Sequence, residues 1–116
     1  GLPVIRVPVM SVQELVHARQ AQRSPAVLDV RQDAEWRAGH LPDAIHIKGG
    51  RLRSSALPLS KEERPVVHCG HSARSTVATS LLEQRGYQDM WLLDGGFSAW
   101  EKAGYPVVGS TKSYIK

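Results

Sequence analysis

The chain has 116 residues, 41% hydrophobic and 22% charged, and carries a net charge of +4 from 15 basic and 11 acidic residues. That length fits one domain with one core, the composition excludes global disorder, and no stretch approaches the roughly 20 apolar residues of a membrane-spanning helix. The basic surplus is spread along the sequence, which suits a small anionic substrate and argues against nucleic acid as a partner.

Read in chain order, "GLPVIRVPVM" has no starting Met, charged leader or apolar leader core and does not read as a signal peptide. Ser11 with Glu14 three residues on forms a capping box ahead of "VQELVHARQ", which predicts a helix from Ser11 to Gln20. "AVLDV", Ala26 to Val30, is a short apolar run after Ser24-Pro25 and reads as a buried strand. "QDAEWRAG" predicts about two helical turns stopped by Gly39. "DAIHI" is a second short strand, and Leu52 to Leu59 is ambiguous, with Pro58 against a long helix. The basic run "KGGRLR", Lys48 to Arg53, reads as a solvated loop. "PVVHC", Pro65 to Cys69, is another buried strand. Ala73 to Arg85 places Val77, Ala78, Leu81 and Leu82 at the spacing of one helical face and ends at Gly86. "DMWLLD" is a further strand, and "GFSAWEKAG" a final short helix closed by Gly104. Short apolar strands alternating with helices predict a parallel α/β sheet with helices on both faces. "GSTKSYIK" reads as a polar C-terminal tail over 109–116 after a single domain over 1–108.

The one cysteine, Cys69, excludes an internal disulfide and favours a reducing, cytoplasmic compartment. It would leave the carboxyl end of a strand, with a helix beginning about four residues later. Ligand sites in open parallel sheets form at that end. Backbone amides and a helix start there favour thiolate over thiol, and cysteine pKa in such settings falls from about 8.5 to between roughly 3.5 and 7.5. Gly70 permits a sharp turn and close approach to an anion, and Ser72, Arg74 and Ser75 add donors. Two other readings stand beside the nucleophile: Cys69 as a small buried hydrophobe, and His71 as a general base. Cys69 with His68 and His71 lacks the four-ligand spacing of a metal site, so no metal or organic cofactor is expected.

Three ordered segments resemble the signatures of rhodanese-like domains. They are "VLDVRQDAEWRAGHLPDAIHI", the loop "VVHCGHSARS" and the closing "LLDGGFSAWEKAGYPV". The resemblance runs from Val7 to Val108. It implies a five-stranded parallel sheet flanked by helices. It also implies a sulfurtransferase whose cysteine takes a sulfane sulfur, becomes a persulfide and hands that sulfur to a thiol or cyanide. Cys69 matches the nucleophile, and Gly70, His71, Ser72, Ala73 and Arg74 match the loop that cradles the persulfide, with Ser75 directly after it. The rival from the same resemblance is a phosphatase-like or arsenate-reducing enzyme using the same thiolate, and phosphatases of this fold place one residue more between cysteine and arginine. The tighter loop from Cys69 to Arg74 suits sulfur better than a phosphoryl group. Family loops often carry a basic residue after the cysteine, where this chain has Gly70, so a persulfide donor such as glutathione persulfide rivals thiosulfate. A non-enzymatic sulfur-relay or regulatory module within a larger protein is the alternative. Domains of this kind also occur joined to a metallo-β-lactamase-like domain that handles persulfides, which would make sulfur delivery by a fused or partner protein the natural arrangement. Asp29 and Arg31 are expected to tie neighbouring loops together, His40 and Pro42 to fix a turn, Asp94 to cap the last helix, and Gly95-Gly96 to supply unusual backbone angles.

Overall fold

A five-stranded, all-parallel sheet in the order β1-β5-β4-β2-β3 organises the chain. The computed structural model describes residues 7–54, 56–70 and 73–109, with the backbone alone described over 73–76. The strands are β1 (Val9–Met10), β2 (Val27–Asp29), β3 (Ile45–His46), β4 (Val66–His68) and β5 (Trp91–Leu93). The helices are α1 (Val12–Gln20), α2 (Asp33–Ala38), α3 (Ala73–Gln84) and α4 (Gly96–Lys102), with a single 3₁₀ turn at Gly49–Arg51. β2 and β4 are buried at every position because helices or loops cover both faces of a parallel sheet, which is why they read as unbroken apolar runs.

Side chains alternate across the sheet, so the core has two halves. Leu28, Val30, Val67 and Cys69 face Ala78 and Leu82 of α3, together with Leu52, Leu59 and Tyr87. Val27, Val66 and Leu93 face Val12 and Leu15 of α1 and Trp100 of α4. Trp100 is buried, and its indole Nε1 donates to the Pro106 carbonyl at 2.8 Å. The capping box of α1 forms in both directions, Glu14 N to Ser11 Oγ at 3.0 Å and Ser11 N to Glu14 Oε1 at 2.8 Å.

Two sequence expectations change, those for Val77 and Asp94, and one strand is additional. Strand β1 was not anticipated from the residues, since it has two residues and Val9 is half exposed. Val77 does not share the buried face of α3 with Ala78 and Leu82: it is 62% exposed. Gly39 stops α2 as expected, in an extended conformation (φ 160°, ψ 142°). Asp94 does not cap α4. It is exposed, and the N-cap position belongs to Gly95 at φ 75°, with no side-chain cap bond. Gly95 and Gly96 (φ 60°) both adopt left-handed angles that other residues rarely tolerate. At the C-terminal side, Val108 pairs with His40 in an antiparallel bridge. Residues 110–116 of the expected tail lie outside the described residues.

Candidate active site

The chain steps from β4 leftward to β5 through α3, and from β2 rightward to β3 through α2. The space between the carboxyl ends of β4 and β2 is therefore the switch point where open α/β sheets bind ligands. Cys69 is the first residue past β4 and Val30 the first past β2. Their strands pair Leu28 with Val67 and Asp29 with His68, so the register continues to Val30 opposite Cys69. The Val30 amide donates to the His68 carbonyl at 3.1 Å. Cys69 is 1% exposed, inside the α3-side half of the core.

Two amides at the start of α4 hold the chain just past β4. Phe97 N donates to the Cys69 carbonyl at 2.8 Å, and Ser98 N donates to the Gly70 carbonyl at 3.2 Å. Among the described residues no peptide bond is cis. In a trans peptide the C=O and N–H point in opposite directions. The Gly70 N–H therefore points away from α4, toward the side of the sheet that carries the Cys69 side chain. Helix α3 begins at Ala73, four residues after Cys69 as the sequence predicts, with Arg74 and Ser75 in its first turn. His71 and Ser72 lie outside the described residues, as do the side chains of Arg74 and Ser75.

A buried polar cluster supports this turn from the α4 side. Asp29, fully buried, accepts from Arg31 through its backbone N (3.0 Å), Nε (3.0 and 3.1 Å) and Nη2 (2.8 Å). Arg31 Nη2 also donates to the Gly39 carbonyl at 2.6 Å, and the guanidinium lies 4.1 Å from the centre of the Phe97 ring. The pair thus ties the loop after β2 to the end of α2 and to the residue whose amide holds Cys69. The sequence expectation of a structural tie agrees with this geometry.

His68 was not singled out from the sequence as part of this cluster. It sits on β4 beside Asp29, and two polar residues at neighbouring strand ends were the available signal. Its Nδ1 lies 3.3 Å from the Cys69 carbonyl and its Nε2 lies 3.7 Å from Asp29 Oδ2, beyond hydrogen-bonding distance, without a partner. A neutral imidazole has one N–H for these two acceptors. Burial pushes the ring pKa below its ordinary value of 6.5, against the pull of the Asp29 carboxylate and the Cys69 carbonyl; Arg31 and Arg19 push the same way as burial. The unfolded chain takes up a proton near pH 6.5 that the folded chain resists. Stability is therefore complete above that pH and falls as the pH drops below it, toward the lower folded value. Urea unfolding between pH 6.5 and 5 should show a loss of up to about 1.4 kcal/mol per pH unit from this residue, and His68→Gln should remove that part of the slope.

At the same sheet edge, Lys48 Nζ meets Asp33 Oδ2 at 3.2 Å, and His46 Nε2 contacts the Arg31 carbonyl at 2.8 Å. The hydrogen bond from Lys48 holds the Asp33 carboxyl below the usual carboxylate range. Trp36 stacks on His40 (3.4 Å) and on His46 (4.7 Å), so His40 fastens the turn through ring contact and through its Nδ1 at 2.8 Å from the Trp36 carbonyl.

The family model for the rhodanese-like domain matches residues 11–103. The chain belongs to the rhodanese-like domain family. Among solved structures, a rhodanese-related protein from Thermoplasma volcanium is 31% identical, with 87% of this chain and 97% of that one covered at a TM-score of 0.75. A rhodanese-like domain protein from Staphylococcus aureus is 25% identical over 92% and 100% of the two chains, with a TM-score of 0.79. A Rhodopseudomonas palustris protein of unknown function, described as a possible tyrosine phosphatase, shares the fold at 22% identity over 88% and 85%, with a TM-score of 0.76. This rhodanese-like domain therefore has the sulfurtransferase-superfamily fold. The five-stranded parallel sheet expected from the resemblance is the sheet observed.

Proposed function

We propose that this rhodanese-like domain is a sulfurtransferase acting by double displacement. The Cys69 thiolate attacks the sulfane sulfur of thiosulfate or a persulfide donor, the first product leaves with the electron pair of the broken S–S bond, and a thiol or cyanide then takes the outer sulfur. The observation that carries this is the peptide after Cys69. Its carbonyl is tied to Phe97 N at 2.8 Å, so its N–H is turned to the side where the sulfur sits, and a helix starts at Ala73. Backbone N–H groups and a helix start stabilise an anion without themselves being titrated, which suits both a thiolate and the terminal sulfur of a persulfide. The short spacing from Cys69 to Arg74 favours sulfur over phosphoryl transfer. No resident cofactor enters this scheme, and a small anionic donor and a thiol acceptor are its partners, in a reducing compartment.

Mass spectrometry after incubation with each donor tests it. A gain of about 32 Da per sulfur at Cys69 is expected for covalent capture. Release of phosphate from an aryl phosphate with no sulfur gained would replace sulfur transfer with phosphatase chemistry. Slow transfer from small donors beside rapid transfer from a partner protein would make the domain a relay. Arg74→Ala should raise KM for anionic donors by about ten- to a hundredfold with a smaller change in kcat, the loss of one charge-assisted hydrogen bond. Unchanged steady-state kinetics for every anionic donor would remove Arg74 from the site.

A further inference from the structure

Resting on the sulfur-transfer reading, we infer that His68 is a positioning residue for the cysteine: its Nδ1–H is the second donor on the Cys69 carbonyl, and through that peptide it strengthens the Gly70 N–H on the other side. Side chains alternate along β4 and just past it, so Val67 and Cys69 face α3 while Val66 and His68 face α1 and α4. His68 therefore lies on the opposite side of the sheet from the sulfur, fully buried, next to the carbonyl of the peptide that joins the two sides. That carbonyl accepts from Phe97 N at 2.8 Å and has His68 Nδ1 at 3.3 Å. A carbonyl oxygen has two lone pairs, so it can take both donors at once.

The surroundings of the ring decide which nitrogen holds the proton. The charged groups acting on it are Asp29 on β2, Arg31 just past β2 and Arg19 on α1, and burial outweighs the carboxylate, so the ring is neutral at neutral pH and has one N–H. Nε2 stands 3.7 Å from Asp29 Oδ2 with no hydrogen-bond partner, whereas Nδ1 has an acceptor within reach. A proton on Nδ1 gains a hydrogen bond. A proton on Nε2 gains none and leaves the Nδ1 lone pair against the carbonyl oxygen. The Asp29 carboxylate is meanwhile committed to the Arg31 backbone N, Nε and Nη2, which fixes it in place beside the ring. Hydrogen bonds in series polarise one another, so a peptide whose C=O is engaged twice donates more strongly through its N–H, by about 10–30% per bond. Cys69 packs among Leu28, Val30 and Ala78, whose side chains offer an anion no hydrogen bond, so the dipole delivered through the Gly70 peptide is the lever His68 acts on.

Three substitutions in the full chain test the role. In His68→Asn the side-chain amide sits where Nδ1 does and restores the donor to the Cys69 carbonyl. In His68→Gln it sits where Nε2 does, and His68→Phe keeps the ring shape with no donor. The thiolate is read by its ultraviolet absorbance against pH, as the difference from Cys69→Ala. Its midpoint should rise by about half a pH unit in His68→Phe and His68→Gln, about a threefold loss in ionisation, and stay within about 0.2 unit of wild type in His68→Asn. A midpoint unmoved in every variant, or moved equally in all of them, overturns the inference. Should His68→Phe fail to fold, the split between His68→Asn and His68→Gln decides alone. With thiosulfate, the rate constant for adding sulfur to Cys69 should fall about threefold in His68→Gln and recover in His68→Asn, at constant KM. Loss of packing alone does not separate those two amides, and a rate constant blind to the exchange also overturns the role. If the thiolate midpoints separate Asn from Gln while no donor leaves sulfur on wild-type Cys69, the positioning role stands and the sulfur-transfer reading is the one that fails.

Discussion

Asp29→Ala is expected to destabilise the domain by about 3–5 kcal/mol, the cost of stripping one partner from a buried ion pair. The reason lies in what remains. Arg31 is 3% exposed and stays charged, since a guanidinium does not lose its proton at accessible pH. Without the carboxylate, its Nε and one contact of Nη2 lose their acceptor, leaving the Gly39 carbonyl and the face of the Phe97 ring. Thermal unfolding should drop by roughly 10–20 °C in a domain of this size. The double variant Asp29→Ala/Arg31→Met, which removes the stranded charge, should recover a good part of that loss, because a buried pair costs most when only half of it is deleted. Equal instability in the single and double variants would show that shape rather than charge is what the pair supplies. The loss should also reach the site. Arg31 packs on Phe97, and Phe97 N holds the Cys69 carbonyl, so a loosened Arg31 frees the peptide that turns the Gly70 amide toward the sulfur.

How much of this was legible in the sequence depended on how local each feature is. The capping box of α1 and the strands β2 and β4 could be read because their signals lie within a few consecutive residues: a Ser-x-x-Glu pair, and apolar runs buried on both faces. The position of Cys69 at the carboxyl edge of β4 followed from the same run. Strand β1 has two residues at a sheet edge, too few to show any period. Asp94 looked like a cap because Asp commonly precedes a helix, but Gly95 at φ 75° carries the chain into α4 one residue later and leaves Asp94 outside. Val77 fitted the apolar stripe of α3. It is 62% exposed, beside a cavity it shares with Gly49 and Gly50, more than twenty residues away in the sequence. The His68–Asp29 approach and the Phe97–Cys69 bond are likewise products of strand order and helix placement, which no local pattern encodes.

Cys69→Ser is expected to lower sulfur transfer by at least about 10³-fold while leaving the fold intact. Oxygen and sulfur differ little in size here, but a serine hydroxyl does not become an alkoxide at neutral pH, and oxygen cannot take up and return a sulfane sulfur as a persulfide does. The substitution does carry a folding cost. A hydroxyl at a position 1% exposed among Leu28, Val30 and Ala78 loses water, at about 1–3 kcal/mol where no hydrogen bond replaces it. Cys69→Ala separates the two effects, because it removes the nucleophile without burying a polar group. Both variants should show a cooperative unfolding transition, and both should lack the added mass after donor treatment. The kinetic form sharpens the test. Double displacement through one covalent intermediate gives parallel lines in reciprocal plots at different fixed acceptor concentrations, and it requires a residue that stores sulfur between the two half-reactions. Cys69 is the chain's one cysteine, so no second thiol can substitute for it. Transfer that survived in both variants would have to pass directly from donor to acceptor while both are bound. Its plots would intersect, and the covalent mechanism would be wrong.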